Sequence, residues 1–453
     1  MVAVTPYDDA TPGRDALATR GPLLADPGLV PGRPRWPALT ARASTWAGAF
    51  AGYGVAGVVT ALGHRTAGRT GSRAVSRQLA RMCVRLGPTF VKGGQLLSTR
   101  KDLLPPHWCE ALGRLHDRVD PMTTAQARTT LAAAYPTAAD WPFAEFDWTP
   151  TASGSIACVY RARLRDGREV AVKVRRPRIR RRMLADFALL GMGARVMQRM
   201  PGMRKVPAGR MVDQLGFAVL RQLDLGAESA ALAELRANLG GFGYFRIPEP
   251  IAEASADGVL VMEFVDGLGR FAPGEMNNEQ RREVIRRVLH GTYRMLFIDG
   301  LVHCDMHPGN LYLTRGGEVV LLDAGFVVPL SPKVKRLFAE FFLNLTMGRG
   351  GECAENVLAS AEHVPDDADI DAFRAGIVEL VAYSTRKTAG EFRLAPFATR
   401  LFDLQRRSGI AAAPEFVFPL VSLLVLEGMI NEFDVRIDFQ AEAVPTLLTA
   451  LRR

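Results

Sequence analysis

The stretch His303-Cys-Asp-Met-His-Pro-Gly-Asn310, followed by Leu321-Leu-Asp-Ala-Gly325, constrains this 453-residue chain more than any other feature. Asp305 and Asn310 lie five apart, and Asp323 closes the apolar run Val319-Val-Leu-Leu322, which reads as a strand. Phosphoryl transfer requires a carboxylate near the nucleophile, plus an amide and a second carboxylate that hold Mg²⁺ under the phosphates. One Asp-x-x-x-x-Asn would say little, because both residues are common in loops. Loop, strand and Asp-x-Gly turn in series say much more. Asp305 is the candidate catalytic residue, and Asn310 and Asp323 are the candidate metal ligands.

The upstream half of such a site is also present. Arg168-Glu-Val-Ala-Val-Lys-Val174 alternates as a strand does, with Lys173 where a kinase strand carries its phosphate-binding lysine. Before it, Ala152, Ser153, Gly154 and Ser155 form a small-residue turn whose backbone N–H groups can approach anions. After it, Glu228 falls in the helical pattern 227–236 and is the candidate partner of Lys173. The apolar strand 259–265, carrying Glu263 and Val265, is where backbone groups would meet adenine. Lysine usage points the same way. Of 57 Lys and Arg only seven are lysine; such a chain keeps lysine by chance or where a compact, flexible ammonium is needed, and Lys173 falls on the one position where a kinase fold requires it. The order of these elements predicts an α+β, two-lobed protein-kinase-like fold.

Outside that core, Phe90-Val-Lys-Gly-Gly-Gln-Leu-Leu-Ser-Thr-Arg-Lys-Asp-Leu-Leu-Pro105 supplies a K-x-G-Q…S-x-R-x-D-L-L-P pattern through Lys92, Gly94, Gln95, Ser98, Arg100, Asp102 and Pro105. On these residues the chain resembles the UbiB/AarF family of atypical kinase-like proteins, which is linked to isoprenoid-quinone biosynthesis, over roughly residues 75–435. The resemblance implies an N-terminal helical extension packed over the nucleotide site, with Lys92 and Gln95 aimed at the nucleotide and Asp224 nearby. It implies ATP and Mg²⁺ as cofactors. The activity it implies is that of an ATPase or a small-molecule or lipid kinase acting at a membrane. Two alternatives stand beside it: a small-molecule phosphotransferase of the antibiotic-kinase kind, and a catalytically weak, nucleotide-gated scaffold.

Four positions depart from the family pattern. Gly154 replaces an alanine in the phosphate-covering loop, Gln222 replaces the first acid of E-x-D, Ala324 replaces the aromatic of D-F-G, and Cys304 precedes the loop aspartate. None removes a metal ligand or Lys173.

Composition bounds the rest. With 48% hydrophobic residues the chain can bury a large core. Its five cysteines include no C-x-x-C pair, which argues against a disulfide framework and for a reducing, cytoplasmic setting. The net charge of +10 is densest in Arg175–Arg182; without aromatic interleaving it suits an anionic membrane or a solvated helix start better than nucleic acid.

Residues 1–40, rich in Pro, Gly and Asp, read as a disordered leader without a secretory signal. Residues 41–66 contain an uncharged run, 43–63, flanked by Arg42 and Arg65, that is long enough to span a bilayer and reads as associating with a membrane, by spanning it or by lying in its interface; its Gly48, Gly52, Ala56 stripe suits a homodimer. Then come a helical K-x-G-Q extension and linker (72–140), an N-lobe (145–265) and a helical C-lobe (266–453). The apolar segment 416–426 is too short to span a bilayer and reads as a buried core helix.

Overall fold

The computed structural model describes residues 36–54, 72–98, 106–113, 115, 120–199, 212, 216, 219–385, 392–412, 414–433 and 436–452. Most of the expected leader, the second half of the 43–63 run, and Arg100, Asp102 and Pro105 lie outside these residues. The fold is α+β and kinase-like.

Helix α1 (Trp36–Ala49) runs into a π-helical turn (Phe50–Gly54). The extension follows as α2 (Ser72–Leu86), α3 (Pro88–Ser98) and α4 (Pro106–Gly113). Gly94 shows why a glycine stands in the K-x-G-Q helix. A Cβ there would lie 2.6 Å from the Leu115 side chain, so α3 approaches its neighbour more closely than any larger residue permits. Helix α5 (Thr124–Ala134) starts at a capping box, in which Thr123 and Gln126 each accept the other's backbone N–H.

The first lobe is a five-stranded sheet of β1 (Phe143–Phe146), β2 (Ala152–Ser153), β3 (Ala157–Leu164), β4 (Glu169–Arg175) and, after two helices, β6 (Val259–Glu263). Its order is β1-β3-β4-β6, with β2 hairpinned onto β3. Alternation along β4 sorts the side chains. Val170, Val172 and Val174 are buried in the core of this lobe, which turns Ala171 and Lys173 to the opposite face. Between β4 and β6 lie α6 (Ile179–Met197), α7 (Leu225–Leu239) and the short strand β5 (Phe245–Arg246).

The second lobe contains β7 (Gly269–Arg270), α8 (Asn278–Tyr293) with its π-helical continuation Arg294–Asp299, then β8 (Leu301–His303), β9 (Leu311–Leu313), β10 (Val319–Leu321) and β11 (Val327–Pro329). After these come α9 (Pro332–Thr346), α10 (Gly350–Ala359), β12 (Ala361–His363), α11 (Ile370–Thr385), α12 (Leu394–Arg407), β13 (Ala411–Ala412), α13 (Pro414–Glu432) and α14 (Val444–Arg452). Strand β5 pairs in parallel with β10, so this piece of the sequence-predicted N-lobe belongs to the second lobe's sheet. Phe416, Leu420, Leu423 and Leu426 of α13 are buried in the main core, which makes it a core helix.

The start of the 43–63 run differs from its sequence reading. Arg42, expected to flank a membrane segment, is 9% exposed and lies within α1, where it forms an ion pair with Asp186 of α6. Trp46 packs edge-on against Phe90 of α3 with ring centroids 5.0 Å apart. The first half of the run is therefore docked on the protein. No helix among the described residues is long and apolar enough to cross a membrane. Gly48 and Gly52 are exposed, and Ala56 lies outside the described residues.

Candidate active site

Lys173 Nζ lies 2.6 Å from Glu228 Oε1 and 2.8 Å from Asp323 Oδ2. Three segments meet here for local reasons. Alternation along β4 sends Lys173 toward the cleft. Helix α7 places Glu228 in its first turn, held by Asp224 at the N-cap. The Asp-Ala-Gly turn after β10 is folded by the Gly325 N–H donating to Asp323 Oδ1 at 2.9 Å. Ala324 also contributes, since its N–H donates to Glu228 Oε1 at 3.3 Å.

One ammonium thus serves two carboxylates. Burial alone would lower the Lys173 pKa, but the charges of Asp323 and Glu228 prevail and raise it. Burial would raise Asp323, yet Lys173 and Lys92 bring it well below the usual carboxylate range. Glu228 moves the other way. Its side chain is almost wholly buried, and burial together with the Asp323 charge outweighs the attraction of Lys173, so its pKa is raised. Glu228 Oε2 has no hydrogen-bond partner among the described residues, and a void of about 20 Å³ beside it is large enough for one water.

The catalytic loop is built around two histidines. His303 is fully buried; its Nδ1 accepts from the Asp305 N–H at 3.2 Å, and its Nε2 donates to the Asp323 carbonyl at 2.7 Å. It therefore locks the loop to the Asp-Ala-Gly turn. Asn310 Nδ2 donates to the Asp305 carbonyl at 2.8 Å, which leaves its Oδ1 as the atom to offer a cation. His307 lies 3.7 Å from Asp305. Burial pushes the Asp305 carboxyl up, but His307, Lys92 and His303 together hold it below its ordinary value.

Lys92 reaches in from α3, with Nζ 3.9 Å from Asp305 Oδ2. The extension therefore sits against the loop that carries Asp305. Gln95 lies on the same helix, and its side chain is outside the described residues. Gln222, in place of an acid, is buried, with its side chain 3.8 Å from a Cβ built at Gly325.

The 152–155 turn closes by the Gly154 N–H donating to the Ala157 carbonyl at 2.8 Å. Arg176 ties it down, donating to the Gly154 carbonyl at 3.0 Å and to Ser153 Oγ at 3.0 Å. Arg176 has no counterpart in the motif reading, and only the run of basic residues hinted at it. Ser155 is buried behind the turn. Glu263 Oε1 accepts from Arg246 at 2.5 Å, which leaves its backbone, with that of the buried Val265, to meet a base. Asp224 is not brought into the group. Its exposed carboxylate accepts the Ala227 N–H at 3.0 Å and makes no hydrogen bond or ion pair with Lys173, Asp323 or Lys92 among the described residues.

The donor set suits Mg²⁺ held jointly with phosphates. Asn310 and Asp323 provide two hard oxygens, and no group of three or more His, Cys, Asp or Glu among the described residues makes a self-sufficient metal site. Mg²⁺ commonly takes one or two protein oxygens and fills its shell from phosphates and water.

The cysteines near the site are packing residues. Cys158 and Cys304 are buried, and burial pushes the Cys304 thiol far above its normal range, the Cys353 thiol up to about 12 and the Cys83 thiol up to about 11. The thiolate is the reactive form. Brief alkylation of the folded protein is expected to leave Cys83, Cys158, Cys304 and Cys353 unmodified by peptide mass mapping, and denaturant is expected to expose all four.

Residues 114–357 match the family model described as ABC1 atypical kinase-like domain. The chain is 32% identical over 370 residues to the "Probable protein kinase UbiB" of Aeromonas hydrophila, covering 80% of this chain and 68% of that protein. It is 31% identical over 372 residues, with the same coverage, to the protein of that name in Aliivibrio fischeri. Among solved structures it is similar to Rv3197 of Mycobacterium tuberculosis, determined in complex with erythromycin, with a TM-score of 0.53 at 19% identity over 80% of this chain and 92% of that one. At that identity the likeness concerns the fold alone. The sequence matches run through the Lys173, Asp305 and Asp323 segments and cover most of each relative, and the chain belongs to the UbiB/AarF family of atypical kinase-like proteins.

Proposed function

We propose that this protein binds Mg²⁺–ATP and transfers its terminal phosphoryl group to water or to a small-molecule or lipid acceptor. We place that activity at the cytoplasmic face of a membrane, in isoprenoid- or quinone-type lipid metabolism. The observation that carries the reading is the shared ammonium of Lys173, at 2.6 and 2.8 Å from Glu228 and Asp323.

In this reading Glu228 orients Lys173 toward the α- and β-phosphates, and the turn held by Arg176 covers them. Mg²⁺ would be held by Asn310 and Asp323 and would neutralise charge developing on the phosphates. Asp305, kept ionised by His307 and Lys92, accepts the nucleophile's proton or positions it. Lys92 over Asp305 counts against an open acceptor cleft of the antibiotic-kinase kind. The membrane and isoprenoid lipid part rests on family membership and on the net charge of +10. Pairing of two copies through 43–63 belongs to the same proposal.

The test is Mg²⁺-dependent ATP turnover by the purified full chain with no vesicles, with vesicles rich in anionic phospholipid, and with zwitterionic vesicles. The reading expects turnover that rises with the anionic vesicles by several-fold. Turnover indifferent to all three conditions overturns the membrane part. Mg²⁺–ATP binding without turnover in any of them supports the scaffold alternative.

A further inference from the structure

A second cavity, of about 560 Å³, is lined by Ser155 of the 152–155 turn but by neither Lys173 nor Asp323. It is framed by the turn between α2 and α3 and by the junction of β4 with α6. Its volume is that of an ordinary small-molecule site.

The lining is divided chemically. Val84, Pro88 and Val91 of the extension are apolar, while Arg176, Arg178 and Arg182 come from the β4–α6 junction. Asp120 is the single acidic residue in the lining, so the arginines leave a positive excess. Two of them already have carbonyl partners. Arg176 donates to Asp120 O at 2.6 Å and to the Gly154 carbonyl, and Arg182 donates to Leu86 O at 3.2 Å. The Arg178 carbonyl accepts the Arg182 N–H at 3.2 Å, while its exposed guanidinium makes no hydrogen bond or ion pair among the described residues.

Arg178 is unusual in its backbone as well. Its φ of 61° makes it the only non-glycine residue with positive φ among those described. It caps α6 without offering a side-chain cap to the helix. A residue with a Cβ is disfavoured in that conformation, and such strain collects at ligand sites. Here a strained backbone presents an unpartnered guanidinium to a cavity that has an apolar wall. Guanidinium groups recognise phosphate oxygens in pairs, and the aliphatic wall suits an alkyl chain.

We propose that this cavity binds an anionic amphiphile, with a phosphate monoester head held by Arg176, Arg178 and Arg182 and an alkyl tail against Val84, Pro88 and Val91. The proposal is independent of the nucleotide reading. The site adjoins the nucleotide cleft through Arg176, which also holds the 152–155 turn.

The experiment is calorimetric titration of the full chain, without detergent, using decyl phosphate below its micelle-forming concentration. Inorganic phosphate serves as the head-only probe and decanol as the tail-only probe. Saturable one-to-one binding of decyl phosphate is expected, at least about tenfold tighter than either half-probe, and weakened about tenfold in Arg178→Gly and in Arg182→Gln. Glycine is at ease at a φ of 61°, so Arg178→Gly should match or exceed the parent in thermal stability, which separates lost binding from lost folding. Equal binding of decyl phosphate by the parent and both variants overturns the proposal. So does decanol binding as tightly as decyl phosphate, which marks an apolar hollow only, or inorganic phosphate doing so, which marks an anion site with no place for a tail.

Discussion

Asp323→Asn is expected to lower Mg²⁺-dependent ATP turnover by about 10²–10³-fold, the scale of removing one preorganised electrostatic group, while leaving the fold intact. The reason the fold survives lies in the charge balance. Lys173 faces two carboxylates at 2.6 and 2.8 Å, so neutralising one leaves a balanced pair with Glu228. The Asp323 side chain is 43% exposed, which limits what its loss costs in stability. Lys173→Met is the poorer test, because it strands the buried Glu228 without its cation, and breaking a buried pair in this way costs about 3–5 kcal/mol. Turnover by Asp323→Asn beside its melting temperature separates the two effects. A variant that keeps turnover within a few-fold of the parent contradicts the assignment of Asp323 to the metal.

The second large effect lies away from the cleft. Asp186 of α6 is fully buried and accepts Arg42 Nε at 2.7 Å, Arg42 Nη2 at 2.8 Å, Trp46 Nε1 at 3.0 Å and Thr89 Oγ1 at 2.6 Å. One carboxylate thus joins α1, α3 and α6. Asp186→Ala leaves the Arg42 guanidinium buried without a counter-charge and is expected to destabilise the protein by about 3–5 kcal/mol, read by denaturant melts. Arg42→Met should cost a comparable amount, since it strands the carboxylate instead. The double variant Arg42→Met, Asp186→Leu should be less damaged than either single change, because no unpaired charge remains. Additive losses in that cycle would show that the pair is solvated and that α1 is not held by it. The same helix α3 carries Thr89 to Asp186 and, one turn later, Lys92 to Asp305, so a loosened α3 should also disturb the contact with Asp305.

The parts of the site that were legible in the sequence are those encoded by local pattern. Lys173 follows from a strand's alternation, Asp305 and Asn310 from their spacing, and Asp323 from a strand that ends in a glycine turn. Glu228 was legible because the helix around it is regular and begins where it should. The N-cap of that helix was equally readable, since an aspartate before a helical run is a start signal, yet Asp224 was assigned to the nucleotide on family pattern instead. In the structure Asp224 caps α7.

What the sequence did not reveal are contacts made across distance. Asp186 gathers donors up to 144 residues away, and no period or motif links positions 42, 46, 89 and 186. Arg42 was therefore read as a flank of an apolar run, when tertiary contact makes it the partner of a buried acid. Arg176 was one basic residue among several until the turn at Gly154 folded back onto it. The cavity at Arg178 depends on a left-handed backbone that a run of arginines does not announce.

The central claim is that Asn310 and Asp323 form half of a metal site that phosphates complete. The direct measurement is titration of Mn²⁺, in place of Mg²⁺, followed by electron paramagnetic resonance, with and without a non-hydrolysable ATP analogue. Two oxygens alone bind weakly, so Mn²⁺ should associate appreciably only when the nucleotide is present, and Asp323→Asn should abolish that added affinity. Mn²⁺ bound equally well without nucleotide, or nucleotide-dependent binding unchanged in Asp323→Asn, would contradict the account.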